Sequence, residues 1–304
     1  MIRVSYSKNT VILPTIGKKI EKNFFLRRGK MCRNMFVCAL LFFLPTSLAA
    51  QTYRELAEKA VEYIESDSLQ QAKTLLLQAL KLEPQNAKNV LLFSNLGLVQ
   101  RRLGEFEQAA ESYSYALNFA PRAVSILLDR AAIYMEIGNV DRAYNDYCQV
   151  LDEDKQNQEA LLYRAYIYVT RRDYAAARID YNRLLELSPL NYHGRLGLAT
   201  LEQKEGKFRE SLEILNKMVV ERPDEPTLYV ARADVEREMK HDDLALVDLE
   251  EAIRLNPSLV ESYLLRGNIY LGQKKKTLAK ADFEKALSLG VPSADLRELL
   301  RQCK

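Results

Sequence analysis

The chain has no tryptophan, two histidines and four cysteines, and only eleven glycines and nine prolines in 304 residues. So few turn-forming residues argue against an all-β or loop-rich protein. His193 and His241 lie far apart, with no pairing suited to a metal. Cys32 and Cys38 sit near the start, Cys148 and Cys303 far beyond, and none has the spacing of a zinc site or a redox pair. A disulfide framework is therefore excluded. Glycine-rich phosphate loops, nucleophile elbows and His-Glu-x-x-His motifs are absent. The sequence accordingly offers no catalytic residues, cofactor site or metal site, and we read it as non-enzymatic.

The formal charge of +3 does not describe the body of the chain. Residues 1–50 hold nine of the 44 Lys and Arg and one of the 41 acids, leaving 35 basic against 40 acidic residues. The body is mildly acidic and gives no global argument for nucleic acid. What is present suits a folded protein: 48% hydrophobic and 28% charged residues.

Met35–Leu44 is a charge-free apolar run, preceded by Arg33 and followed by Pro45-Thr46-Ser47-Leu48-Ala49-Ala50. That order is the one of a secretory signal peptide, with cleavage after Ala49 or Ala50. The run is too short for a comfortable membrane span, which needs ~20 residues. Met31 would give a leader of ordinary size, so we expect it to be the true start; the alternative is a genuine extension with an uncleaved anchor. Few cysteines in an exported chain fit a Gram-negative periplasm.

Self-similarity decides the fold. A column of small residues runs Ala60, Gly97, Ala131, Ala165, Ala199, Ala233, Gly267; after a first interval of 37 every step is 34. A second runs Ala72, Ala109, Ala143, Ala177, Ser211, Ala245, Ala279, and four residues after each stands a large one: Leu76, Tyr113, Tyr147, Tyr181, Leu215, Leu249, Phe283. Prolines 84, 121, 189, 223 and 257 close units. Each unit therefore holds two amphipathic helices around a turn, and the small columns let helices approach. A single pair cannot bury its apolar face, so the units must stack.

These columns resemble the tetratricopeptide repeat. The resemblance implies an all-α superhelical solenoid of seven units, 53–86, 90–123, 124–157, 158–191, 192–225, 226–259 and 260–293, with residues 294–304 as a capping helix. It departs from the family where tryptophan is frequent, placing Leu56, Phe93, Leu127, Leu161, Arg195, Tyr229 and Tyr263 there.

Four units carry an Arg before the small residue and an Asp sixteen residues later: Arg130/Asp146, Arg164/Asp180, Arg232/Asp248 and Arg266/Asp282. Both lie eight residues from the turn centre, so antiparallel helices bring them level, and we read them as structural ion pairs. First helices line the concave face of such solenoids, which makes Asn95, Arg102, Met135, Tyr163, Tyr166, Thr200, Gln203, Asp234, Arg237 and Asn268 the candidate peptide-binding residues. The carboxylate clamp of chaperone-binding members is missing: the matching places hold Ala57, Val61, Asn95, Ser125 and Asp129. The expected function is a protein-interaction scaffold of the envelope that binds a peptide or helix. The alternatives are a structural subunit of an envelope complex and, further off, a glycan-binding or enzymatic accessory protein.

The export reading has a direct test. Mature protein from the native host should begin at Ala50 or Gln51, and N-terminal sequencing that finds residues 1–30 retained would contradict it.

Overall fold

A computed structural model describes residues 52–304; the expected leader and cleavage site lie outside the described residues. Among the described residues there is no strand. The first unit pairs α1 (residues 52–65) with α2 (Leu69–Leu82). The next three are α3 (Asn89–Arg102) with α4 (Phe106–Phe119), α5 (Val124–Glu136) with α6 (Val140–Glu153), and α7 (Gln158–Thr170) with α8 (Tyr174–Leu187). Then come α9 (Tyr192–Lys204) with α10 (Phe208–Glu221), α11 (Pro226–Glu238) with α12 (Asp242–Leu255), and α13 (Val260–Gly272) with α14 (Lys276–Ser288). The chain ends on α15 (Ser293–Gln302), starting one residue earlier than the sequence suggests.

Local chemistry sets the boundaries. Asn139, Asp173, Asn157 and Asn191 each accept a hydrogen bond from a first-turn amide of the helix that follows. Pro226 opens α11, where its missing N–H costs nothing. Each turn inside a unit passes through one left-handed residue. Gly104, Gly138 and Gly206 supply it freely at φ near +77°. Asp67, Arg172, Lys240 and Lys274 occupy the same place at φ 60° to 68° and bear the steric cost of a Cβ.

The extra length after the first unit is divided in two. The link Glu83–Lys88 has six residues where later links have four, and α3 starts one residue early. Asn89 seals the junction. Its buried amide donates to the carbonyls of Glu83 (2.7 Å) and Pro84 (3.1 Å) and accepts from the Tyr53 hydroxyl (2.9 Å).

Packing is continuous along the chain. Every buried apolar cluster crosses a boundary between units, and the last joins α14 to Leu296 of α15. Leu299 and Leu300 lie against that cluster. The large residue of each second helix is the wedge. A Cβ built on Gly97 would stand 2.9 Å from the Tyr113 ring of its own unit, and one on Gly267 2.7 Å from Phe283. The same wedge also meets the next unit: a Cβ on Gly197 of α9 would stand 2.5 Å from the Tyr181 ring of α8. Each ring thus closes its own helix pair and holds its neighbour. Ser211 replaces alanine in the second small column and donates its hydroxyl to the Ala199 carbonyl at 2.8 Å, so the substitution leaves no buried donor stranded.

Two substitutions test this packing in opposite directions. Gly197→Ala forces a methyl group onto the Tyr181 ring and should destabilise the fold by ~1–3 kcal/mol. Arg172→Gly relieves a left-handed residue and should stabilise by up to ~1 kcal/mol. Denaturant unfolding of both variants checks the pair; equal stability throughout would mean that these contacts are misplaced.

Candidate functional site

The charged columns must be placed before a binding face can be recognised. Arg130, Arg164, Arg232 and Arg266 each meet the aspartate sixteen residues on as a two-pronged fork. Nε and Nη2 donate to the two carboxylate oxygens at 2.7–2.9 Å in all four units. The carboxylates of Asp146, Asp180, Asp248 and Asp282 are buried, and the guanidinium groups are about a fifth exposed. The hydrogen bonds that Arg164 donates to Asp180 hold its guanidinium above its ordinary pKa despite burial.

The remaining guanidinium nitrogen does something the sequence reading missed. It reaches back into the preceding unit: Arg130 donates to Ser114 Oγ at 2.9 Å, Arg232 to Asn216 Oδ1 at 2.9 Å, and Arg164 lies 3.8 Å from Cys148 Sγ. Glu250 holds that place before Arg266 and acts on it through charge. Each of these residues precedes its arginine by sixteen, the mirror of the sixteen to the aspartate. The arginine therefore joins three helices. A tyrosine ring lies within 6 Å of each guanidinium: Tyr134, Tyr168, Tyr229 and both Tyr263 and Tyr270.

Units without this pair use other contacts. In the second, Ser112 and Gln100 hydrogen-bond at 2.6 Å. Between the fourth and fifth, Arg178 of α8 grips buried Glu202 of α9 and also binds Glu205, which Lys207 contacts at 2.9 Å. Tyr144 and Tyr168 share a hydrogen bond at the equivalent boundary one unit earlier.

The first helices stand beside one another, α7 against α9 and α11 against α13, and form the wall on which the candidate residues lie. They divide into two groups. Towards the C-terminal half, the polar ones are engaged with each other. Gln203 is buried, not free as the sequence suggested, and donates to Asp234 (2.9 Å) and Glu238 (3.2 Å) across the unit boundary. Arg237 binds Asp234 at 2.7 Å. Thr200 turns its hydroxyl onto its own helix at Leu196. Arg102 is likewise held, by the Ile64 carbonyl and Asp67 in the first turn. Asn268 is exposed and Asn95 half-buried.

The units between them present a different surface. Tyr166 is 38% exposed, and Met135 is half-buried against the core of the second to fourth units. Tyr163 stacks on Tyr147 of the preceding helix, centroids 5.5 Å apart. Leu98, Leu128, Leu162 and Val169 are half-buried on the same helices. Two carboxylates accompany them. Asp129 on α5 has its pKa pushed up to about 6, chiefly by burial; Arg101 on α3 opposes this and Glu159 on α7 adds to it. Burial also raises Glu159, again against Arg101. The described residues contain no cluster of three or more side chains arranged to hold a metal.

Comparison with known proteins places the architecture. Models of the tetratricopeptide repeat match residues 94–157, 128–192 and 260–289. A tetratricopeptide repeat protein of Parabacteroides merdae is 36% identical, with a TM-score of 0.76 over 83% of this chain and 99% of that one. The chain belongs to the tetratricopeptide repeat family. PilF of Pseudomonas aeruginosa (17% identity, TM-score 0.54, 70% of this chain and 96% of that one) shares the fold. So does yeast Tom70 (18% identity, TM-score 0.53, 78% of this chain and 58% of that one). No curated protein matches. Repeats of this family generally mediate protein–protein interaction, and the fold is typically a non-enzymatic scaffold.

The arginine forks yield a prediction. Arg164→Ala and Asp180→Ala should each cost roughly 3–5 kcal/mol, because each strands a buried partner. The double variant should cost less than the two singles summed. Additive losses in urea unfolding would contradict the shared geometry.

Proposed function

We propose that this chain is an exported, non-enzymatic scaffold of the cell envelope. It holds a peptide or helix of a partner protein on the face formed by the first helices of its repeats. The observation that carries the reading is the run of half-exposed apolar and aromatic side chains there, Leu98, Leu128, Met135, Leu162, Tyr166 and Val169, spanning three consecutive units. An extended peptide or an amphipathic helix is the natural occupant of such a run. The ion pairs support the same division. The arginines that a sequence scan would offer as ligand-binding groups are bound to aspartates inside the scaffold. Export rests on the leader, residues 35–50, and the periplasm on the shortage of cysteine.

One feature favours a second mode of assembly. Ile179 and Val247 occupy the same place in the second helices α8 and α12 and are 69% and 64% exposed. They would suit permanent docking by the opposite face, as a structural subunit.

Capture from native envelope extracts separates the two. Tyr166→Ala combined with Met135→Ala should lose the partner while thermal stability changes little. If that protein still captures the partner and Ile179→Asp/Val247→Asp does not, the groove reading is wrong and the docking reading replaces it.

A further inference from the structure

We infer that the outer side of the last two units binds a second copy of this chain. Leu244 and Val247 of α12 and Leu278 of α14 form the apolar centre of the contact, and acids of α12 meet lysines of α14 in the other copy. The contact lies on second helices, away from the wall of first helices, and does not rest on the groove reading.

This surface is apolar where the other repeats are polar. Leu244 is 56% exposed, Val247 64% and Leu278 48%, on two helices that both pack against α13. Leu244 and Leu278 hold the same repeat position, one residue before Ala245 and Ala279 of the second small column. Units one, two, three and five fill that exposed position with Gln71, Gln108, Arg142 and Glu210. Only the last two units place leucine there. Ala281, also exposed, follows Leu278 as Val247 follows Leu244. An apolar centre with a charged rim is the composition of a protein interface.

Charge names the occupant. Positions that are acidic on α12 are basic on α14: Asp242 gives way to Lys276, and Glu251 to Lys285. Asp243 adds to the acidic side, and Lys280 with the turn residues Lys274 and Lys275 to the basic one. Internal pairing leaves both signs in excess. Arg254 holds Glu251 at 2.6 Å and Glu284 lies 3.6 Å from Lys280. Asp243, Lys276 and Lys285 have no ion pair among the described residues. The two signs therefore lie on two helices of one surface, on either side of α13. A two-fold axis running between α12 and α14 lays each copy's α12 over the other's α14. Because the two helices hold the same repeat positions, leucine meets leucine, and Asp242 and Glu251 meet Lys276 and Lys285. Every pair forms twice, as an isologous contact requires. A partner of one sign would be attracted by one helix and repelled by the other.

Sedimentation velocity on the full chain, expressed with its leader so that processing is undisturbed, tests the contact with no envelope partner present. Two helix faces per copy make a small interface, so dimer should replace monomer between roughly 1 and 100 μM. Leu244→Asp/Leu278→Asp protein should stay monomeric across that range. Both leucines are exposed, so the core is untouched, and circular dichroism checks that the fold is kept. Asp243→Lys/Glu251→Lys protein and Lys276→Glu/Lys285→Glu protein should each associate about tenfold more weakly alone. A mixture of these two should recover a dimer with one copy of each. Monomer throughout for the unaltered chain overturns the inference, and so does a dimer that survives Leu244→Asp/Leu278→Asp. Charge variants that dimerise as well alone as mixed overturn the pairing of α12 with α14.

Discussion

The structure depends on one large side chain per repeat, wedged between the small residue of its own first helix and the first helix of the next repeat. A helix pair alone has one apolar face and nowhere to bury it. Tyr113, Tyr147, Tyr181 and Phe283 are wholly enclosed in the stack, and Tyr181 lies against the first helix of the next unit at Gly197. The glycines show how little room is left: at Gly197 a single added carbon would stand 2.5 Å from the Tyr181 ring. Close approach leaves little space for water, so a charged group in these layers is costly unless it is paired inside the protein.

That requirement explains the arginine forks. Each guanidinium spends two nitrogens on its aspartate and, in three units, turns the last towards the unit before. The forks repeat the service of the wedge in polar form, closing one pair of helices and reaching a third. Where the arginine is absent, another contact crosses the boundary, as Arg178 with Glu202 does. With these charges committed to the scaffold, the proposed recognition face is the wall of first helices.

Much of the fold was legible from period alone. A 34-residue spacing of small residues fixes helix pairs, turns and wedge, because each place tolerates few residue types. The aspartates were legible as well, since a separation of sixteen straddles a turn evenly. The partners behind the arginines were not: Ser114, Cys148, Asn216 and Glu250 share a place but no chemistry, so no column appears in the sequence. The groove was legible only as a face. Which of its polar residues are free depends on contacts between units. Gln203, Asp234 and Glu238 satisfy one another across a boundary, and nothing in the spacing of a glutamine and two acids announces it. Tyr163 and Tyr166 differ for a related reason: the first lies over Tyr147, while the second stands out from the wall.

The central claim is that each wedge couples two repeats. Hydrogen exchange on the full chain carrying Tyr181→Ala measures this most directly, since backbone amides report local opening helix by helix. The account predicts that protection falls in α7 and α8 and equally in α9, beyond the link at Pro189. Loss confined to α7 and α8, with α9 as protected as in the unaltered protein, would show that the repeats are joined by something other than these rings.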